Sequence, residues 1–134
     1  MTLAFVTDTH PLIFHAQGGG KLGKKAKAIF AQAEEQQAII YVPAVVLWEV
    51  SILVRIGRID LRRSLRAFSD DLFSNAAYQM CELSLEQVLV ASEDTPPNLD
   101  PFDTLIGAVA RELELPLITR DAALCALSDL CTVW

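Results

Sequence analysis

Four acids occupy positions where a carboxylate can do more than solubilise the chain: Asp8, Glu49, Asp103 and Asp121. Asp8 closes the apolar run Leu3-Ala4-Phe5-Val6-Thr7, and Asp121 follows Pro116-Leu117-Ile118-Thr119-Arg120. Asp103 comes just after Asp100-Pro101, which opens a helix in cap-then-proline order. Glu49 is the only acid in the apolar stretch from Ala44 to Ile56. Carboxylates gathered in one place repel one another unless a cation lies among them, so such a cluster implies a metal. Donors that are all oxygen, with no suitably placed His or Cys, select Mg²⁺ or Mn²⁺ over zinc. Those ions bind phosphate oxygens and make water more acidic, which suits in-line hydrolysis of a phosphodiester.

Taken singly, each aspartate also has a plainer role. Asp8 and Asp121 suit helix N-caps, and Asp103 lies in a first turn, where the helix dipole favours an acid. The three gain meaning by convergence. Glu49 differs, because Val45, Val46, Leu47, Trp48, Val50, Ile52 and Leu53 leave it almost no polar face. A buried carboxylate that needs a partner is expected there.

The elements that must position these acids alternate in type. Apolar runs predict strands at Leu3–Thr7, Ile39–Val42, Tyr78–Leu83, Pro116–Thr119 and Leu130–Val133. A short helix is expected after Asp8, ended by Gly18-Gly19-Gly20. Further helices are expected from Leu22 to Gln37, from Ala44 to Ile56 with Gly57 closing it, and from Arg62 to Phe73. Ser84 and Gln87 form a capping box for a helix to about Ala91. After a loop from Glu93 to Asn98, helices follow from Asp100-Pro101 to about Glu114 and from Asp121 to Leu127. The alternation predicts an α/β fold: one domain over residues 1–134, with a mainly parallel central sheet of about five strands flanked by helices. In such sheets the ligand crevice lies beyond the carboxyl ends of the strands. Asp8 and Asp121 belong at that edge, and the helix starts carrying Glu49 and Asp103 are expected on the same side.

Net charge is −6, which argues against a surface covered in polyanion-binding cations; without the four site acids the remainder is −2. One segment is locally basic, with Arg55, Arg58, Arg62, Arg63 and Arg66, and Arg62 and Arg63 are expected to form a positive rim for phosphates. The longest apolar stretch, Ala38 to Trp48, falls short of the roughly 18 to 20 residues that cross a bilayer. With no basic segment at the start, a cytoplasmic location is expected. Cys81, Cys125 and Cys131, odd in number and without CxxC spacing, read as reduced and mostly buried thiols. Gly18-Gly19-Gly20-Lys21-Leu22-Gly23-Lys24-Lys25 nearly matches a phosphate-binding loop, but Lys25 replaces the hydroxyl residue and no strand directly precedes it; it reads as a basic loop. His10 and His15 lack metal-site spacing, and Trp48 and Trp134 read as core or interface aromatics.

Val6-Thr7-Asp8-Thr9-His10, Leu47-Trp48-Glu49-Val50, Asp100-Pro101-Phe102-Asp103 leading into Leu105-Ile106-Gly107-Ala108, and Ile118-Thr119-Arg120-Asp121 with Val133-Trp134 form an ordered set over nearly the full chain. In order and spacing the set resembles the PIN-domain family, and more narrowly the VapC-type toxins of bacterial type II toxin–antitoxin pairs. The resemblance implies a Mg²⁺- or Mn²⁺-dependent endoribonuclease whose Asp8, Glu49, Asp103 and Asp121 hold one or two ions and whose product carries a 5′-phosphate. It further implies that Asp100, Thr9 and Thr119 support the ligands or bind water, and that Arg120 meets a phosphate. The implied partners are RNA, a cognate antitoxin and a second copy of the chain. Two other readings stand beside it. One is a catalytically inactive module of the same shape that binds metal, RNA or a partner. The other is a phosphoacceptor receiver domain, which wants paired acids after the first strand, an Asp after the third and a Lys after the last; the sequence has none of these.

Overall fold

A computed structural model of the chain describes residues 3–94 and 99–134. The first apolar run forms β1 (Leu3–Thr7), followed by α1 (Thr9–Ala16) and α2 (Lys24–Glu34). Next come β2 (Ala38–Pro43), α3 (Ala44–Arg55), α4 (Leu65–Ser74), β3 (Tyr78–Cys81) and α5 (Leu85–Asp94). The last elements are α6 (Pro101–Leu113), β4 (Leu117–Ile118), α7 (Ala122–Cys125) and β5 (Thr132–Val133). The sheet has five strands in the order β3-β2-β1-β4-β5, and every neighbouring pair is parallel. Helices cover the sheet and enclose Val6, Ile40, Val42, Val46, Ile106, Leu117 and Ile118 without solvent contact. The expected single α/β architecture with a parallel five-strand sheet is the one observed.

Strand order places the chemistry. Strand β1 lies between β2 and β4, so the chain moves to one side of β1 first and later crosses to the other. The connections leaving β1 and β4 then diverge, and a crevice opens at their carboxyl ends. Asp8 follows one of these strands and Thr119-Arg120-Asp121 the other.

Several boundaries differ from the sequence expectation for local reasons. Arg62 does not begin a helix: it adopts φ 58°, with its N–H on Asp60 Oδ1 at 2.8 Å. The helix starts two residues beyond Arg63, where Ser64 Oγ accepts from the Ala67 N–H at 3.1 Å. Helix α2 begins at Lys24 because Gly23 takes an extended cap conformation. The capping box at Ser84 and Gln87 is reciprocal, at 3.0 and 3.1 Å, and α5 runs on to Asp94. Residues 95–98 of the expected loop lie outside the described residues. Gly57 closes α3 at φ 77°, a conformation that strains any residue with a Cβ. The three thiols are free, but they are not mostly buried: Cys125 and Cys131 are exposed, on α7 and on the surface stretch that leads into β5. Among the described residues no helix is long and apolar enough to cross a membrane.

Candidate active site

Asp8 is set by two threonines. It caps α1, its Oδ1 accepting the Thr9 N–H at 2.7 Å, while Oδ2 accepts the Thr119 hydroxyl at 2.7 Å. The same Thr119 oxygen accepts the Asp121 N–H at 3.0 Å, so one buried hydroxyl ties the end of β4 to the end of β1. Thr9 uses its hydroxyl differently, donating to Glu49 Oε1 at 2.6 Å. Both threonines are fully enclosed, which leaves their hydroxyls no water to turn to and fixes the carboxylates they hold. Each of the two therefore holds an acid by a hydroxyl hydrogen bond.

The remaining acids come from helix starts. Asp121 caps α7 through Oδ2 on the Leu124 N–H at 3.0 Å. Asp100 caps α6 by accepting from Phe102 and Asp103 N–H at 2.8 and 3.2 Å. With Asp100 as the cap, Asp103 needs no backbone partner and turns into the crevice. Asp8, Glu49, Asp100, Asp103 and Asp121 line one cavity of about 510 Å³, together with His10, Pro11, Arg120 and Ala122. Four distant segments thus deliver five carboxylates to one opening.

Electrostatics marks the cluster. Burial pushes the Asp8 carboxyl above its usual range, against the hydrogen bonds of Thr119 and Thr9, and Asp121 adds to the rise. Glu49 is raised by burial and by the charges of Asp8 and Asp100, against the Thr9 hydrogen bond. Asp103 is raised to about 7, first by burial and then by Asp8, Asp121, Asp100 and Glu49. Among the described residues none of these acids forms an ion pair. Nor do any three His, Cys, Asp or Glu side chains there close tightly enough on one point to grip an ion. Among the described residues the acids share the cavity without converging on one point.

Glu49 reaches the cavity for a reason other than the one its neighbours implied. Helix α3 is not enclosed: only Val46 and Val50 are fully buried, and Trp48 is 53% exposed. The partner of Glu49 is Thr9, from an element its own sequence neighbourhood does not reveal. Arg120 lies at the cavity, its guanidinium carbon 5.0 Å from the Phe14 ring centre and 5.5 Å from that of Trp134. His10 also lines it, a position that only adjacency to Asp8 signalled. Arg62 and Arg63 do not join the acids. They line a separate cavity of about 610 Å³ with Ala16, Gln17 and Arg58, at the far end of α1 from Asp8, and Arg63 is paired with Asp71 at 3.2 Å.

A family model described as the PIN domain matches residues 5–130. No curated protein matches the chain in sequence. Among solved structures, a chain of Rickettsia felis VapBC2 bound to a promoter DNA fragment is similar at TM-score 0.70 and 13% identity, over 98% of both chains. A chain of the DNA-bound VapBC complex from Salmonella typhimurium is similar at TM-score 0.69 and 13% identity, again over 98% of both. VapC20 of Mycobacterium tuberculosis, described as a sarcin–ricin loop cleaving toxin, is similar at TM-score 0.66 and 17% identity, over 91% of this chain and 93% of that one. At such identities the likeness concerns the fold, and the family model covers nearly all of the sequence. The chain belongs to the PIN domain family.

Proposed function

We propose that the chain is a metal-dependent endoribonuclease, the toxin of a toxin–antitoxin pair working in the cytoplasm, with Asp8, Glu49, Asp103 and Asp121 as its catalytic acids. The observation that carries this reading is Asp103, a carboxyl raised to about 7 inside a cavity where every other carboxylate pushes it upward. Such crowding is stable at neutral pH only if protons or a cation relieve it. The donor set fits a hard divalent ion. Mg²⁺ keeps several waters and takes one or two carboxylates plus phosphate oxygens, so acids that line a cavity without closing into a cage suit it. Asp8, Glu49, Asp103 and Asp121 would hold Mg²⁺ or Mn²⁺, which when bound supplies positive charge for a phosphodiester and a more acidic water.

The chain's own residues do the positioning. Thr119 and Thr9 hold Asp8 and Glu49 in place; Asp100 caps α6 and so presents Asp103. Arg120 supplies the cation nearest the acids and meets a substrate phosphate. Several structurally similar chains come from toxin–antitoxin complexes, which supports an antitoxin partner here. A homodimer is supported by the exposed Trp48 on α3, Ile56 at its C-cap, and Leu85 and Val88 on α5, two helices that both pack on α6. Trp48→Glu should then halve the particle mass in light scattering; an unchanged mass removes the dimer from the proposal.

Purified protein is expected to cut RNA with Mn²⁺ and not with EDTA, and Asp8→Asn to fold but leave the RNA intact. Equal cleavage by wild type and variant would overturn the assignment. Mn²⁺ uptake without cleavage of any RNA would favour the inactive binding module.

A further inference from the structure

All four lysines of this acidic chain, Lys21, Lys24, Lys25 and Lys27, lie between positions 21 and 27, and each is exposed. This is the segment whose glycine–lysine pattern imitates a phosphate-binding loop without its hydroxyl residue. Its place in the fold supplies another use. Gly23 sits so close to Trp134 that a methyl group there would overlap the indole ring, and the Lys25 N–H donates to the Trp134 carbonyl at 3.3 Å. The Trp134 ring meets Phe14 edge-on at 6.4 Å. Over these two rings lies Arg120, and Lys21 Nζ stands 5.6 Å from the Phe14 centre. A shoulder therefore leads from the acid cavity across Arg120 and the partly exposed Trp134 ring, with buried Phe14 beneath, to the exposed lysines. None of its five cations makes an ion pair among the described residues, whereas Arg63 and Arg111 each have a carboxylate partner.

We propose that this shoulder binds the single-stranded RNA segment leading into the acid cavity; the inference rests on the ribonuclease reading and assigns the track its substrate takes. Unpaired cations beside a partly exposed ring are what single-stranded nucleic acid needs, since phosphates pair with the cations while an unstacked base lies on the Trp134 indole, with buried Phe14 backing it. A duplex keeps its bases stacked and has no use for the indole. The cavity itself repels phosphates, so a strand must be held by charge next to it, and Arg120 belongs to both surfaces. The arginine cavity at the other end of α1 shares no lining residue with the acids.

The test uses the full chain in EDTA, so that binding is read without cleavage, with fluorescein-labelled oligouridylate as probe and anisotropy as readout. Replacing Lys21, Lys24 and Lys25 with Ala should weaken binding at least about tenfold and lower the salt slope by about 2, since each lost single-strand phosphate contact removes about 0.7. Trp134→Ala should cost about fivefold or more, with Trp134→Phe restoring most of it. An unchanged affinity and salt slope in the lysine variant overturns the proposal. So does equal binding of the same sequence as a duplex, or equal displacement of the probe by poly-glutamate, which would make the surface a general or protein-directed one. Lysine-dependent binding by a chain that never cuts RNA would retain the track and refute the ribonuclease. Mn²⁺-dependent cutting with unchanged binding in the lysine variant would do the reverse.

Discussion

A group of carboxylates lies at the start of helix α1 and a single one, Glu34 of α2, at its end, and the two sites are built on opposite electrostatic plans. At its start, Asp8 and the acids around it have hydroxyl and backbone donors but no ion pair among the described residues, and Asp8, Glu49 and Asp103 are all raised. Near its end, Glu34 Oε1 accepts from His15 Nε2 at 2.7 Å and from the Tyr78 hydroxyl at 2.9 Å. Burial pushes Glu34 up, but the His15 and Tyr78 hydrogen bonds and the His15 charge outweigh it and hold the carboxyl below its usual range. His15 also stacks on Phe30 at 4.6 Å between ring centres. The satisfied cluster joins α1, α2 and β3 and stabilises the fold. The crowded one works against it, each carboxylate raising the charge cost of the others.

The contrast is sharpest in activity. Asp103→Asn should lower Mn²⁺-dependent RNA cleavage by about 100-fold or more, as expected when a metal-binding carboxylate is lost. Glu34→Gln should leave the cleavage rate of the folded protein within about twofold, since Glu34 touches no part of the acid cavity. A comparable rate loss in both variants would erase the distinction.

Stability should change in opposite directions. Glu34→Gln is expected to destabilise by about 1 kcal/mol, a charged hydrogen-bond contribution reduced by the exposure of the pair. Because the folded protein holds Glu34 low, its contribution is present at neutral pH and lost as pH falls below the ordinary carboxylate range. Asp103 runs the other way. Its folded value of about 7 lies above the ordinary 3.8, so its favourable contribution is full below about pH 4 and lost as pH rises through 7. Metal-free Asp103→Asn should thus melt above wild type at pH 8, by on the order of 1 kcal/mol after solvent screening, with the gap closing on acidification. Thermal melts across that range check the sign; a variant less stable at pH 8 would mean that Asp103 is held by structure and not strained by its neighbours.

Mn²⁺ should reverse this ordering. At a concentration about 100 times its Kd, an ion bound only by the folded state stabilises by about 2.7 kcal/mol. Wild type should gain on that scale and Asp103→Asn much less, leaving the Glu34→Gln increment equal to that of wild type.

Much of this was legible in the residues because the signals are local. Asp8 directly follows one apolar strand run and Asp121 comes three residues after another, so parallel-sheet topology brings these two to one edge, while Asp100-Pro101 announces the helix start that carries Asp103. Glu49 was singled out by apolar neighbours that do not in fact enclose α3, and its Thr9 partner, 40 residues away, follows from the packing of α1 on α3. Arg62 misled because its helix-forming neighbours said nothing of the φ 58° turn that Asp60 imposes. Trp134 was least legible: its importance lies in Gly23, Phe14 and Arg120, which meet it only in three dimensions.

Whether the crowded carboxylates are kept for a divalent cation can be read by calorimetric titration of Mn²⁺ at about pH 6.5, in buffers of differing ionisation enthalpy. Binding should release a proton from wild type, because Asp103 is partly protonated there, and both the uptake and the proton should largely vanish in Asp103→Asn. Absence of Mn²⁺ binding, or binding with no proton released and no difference between the two proteins, would contradict a cation-binding role.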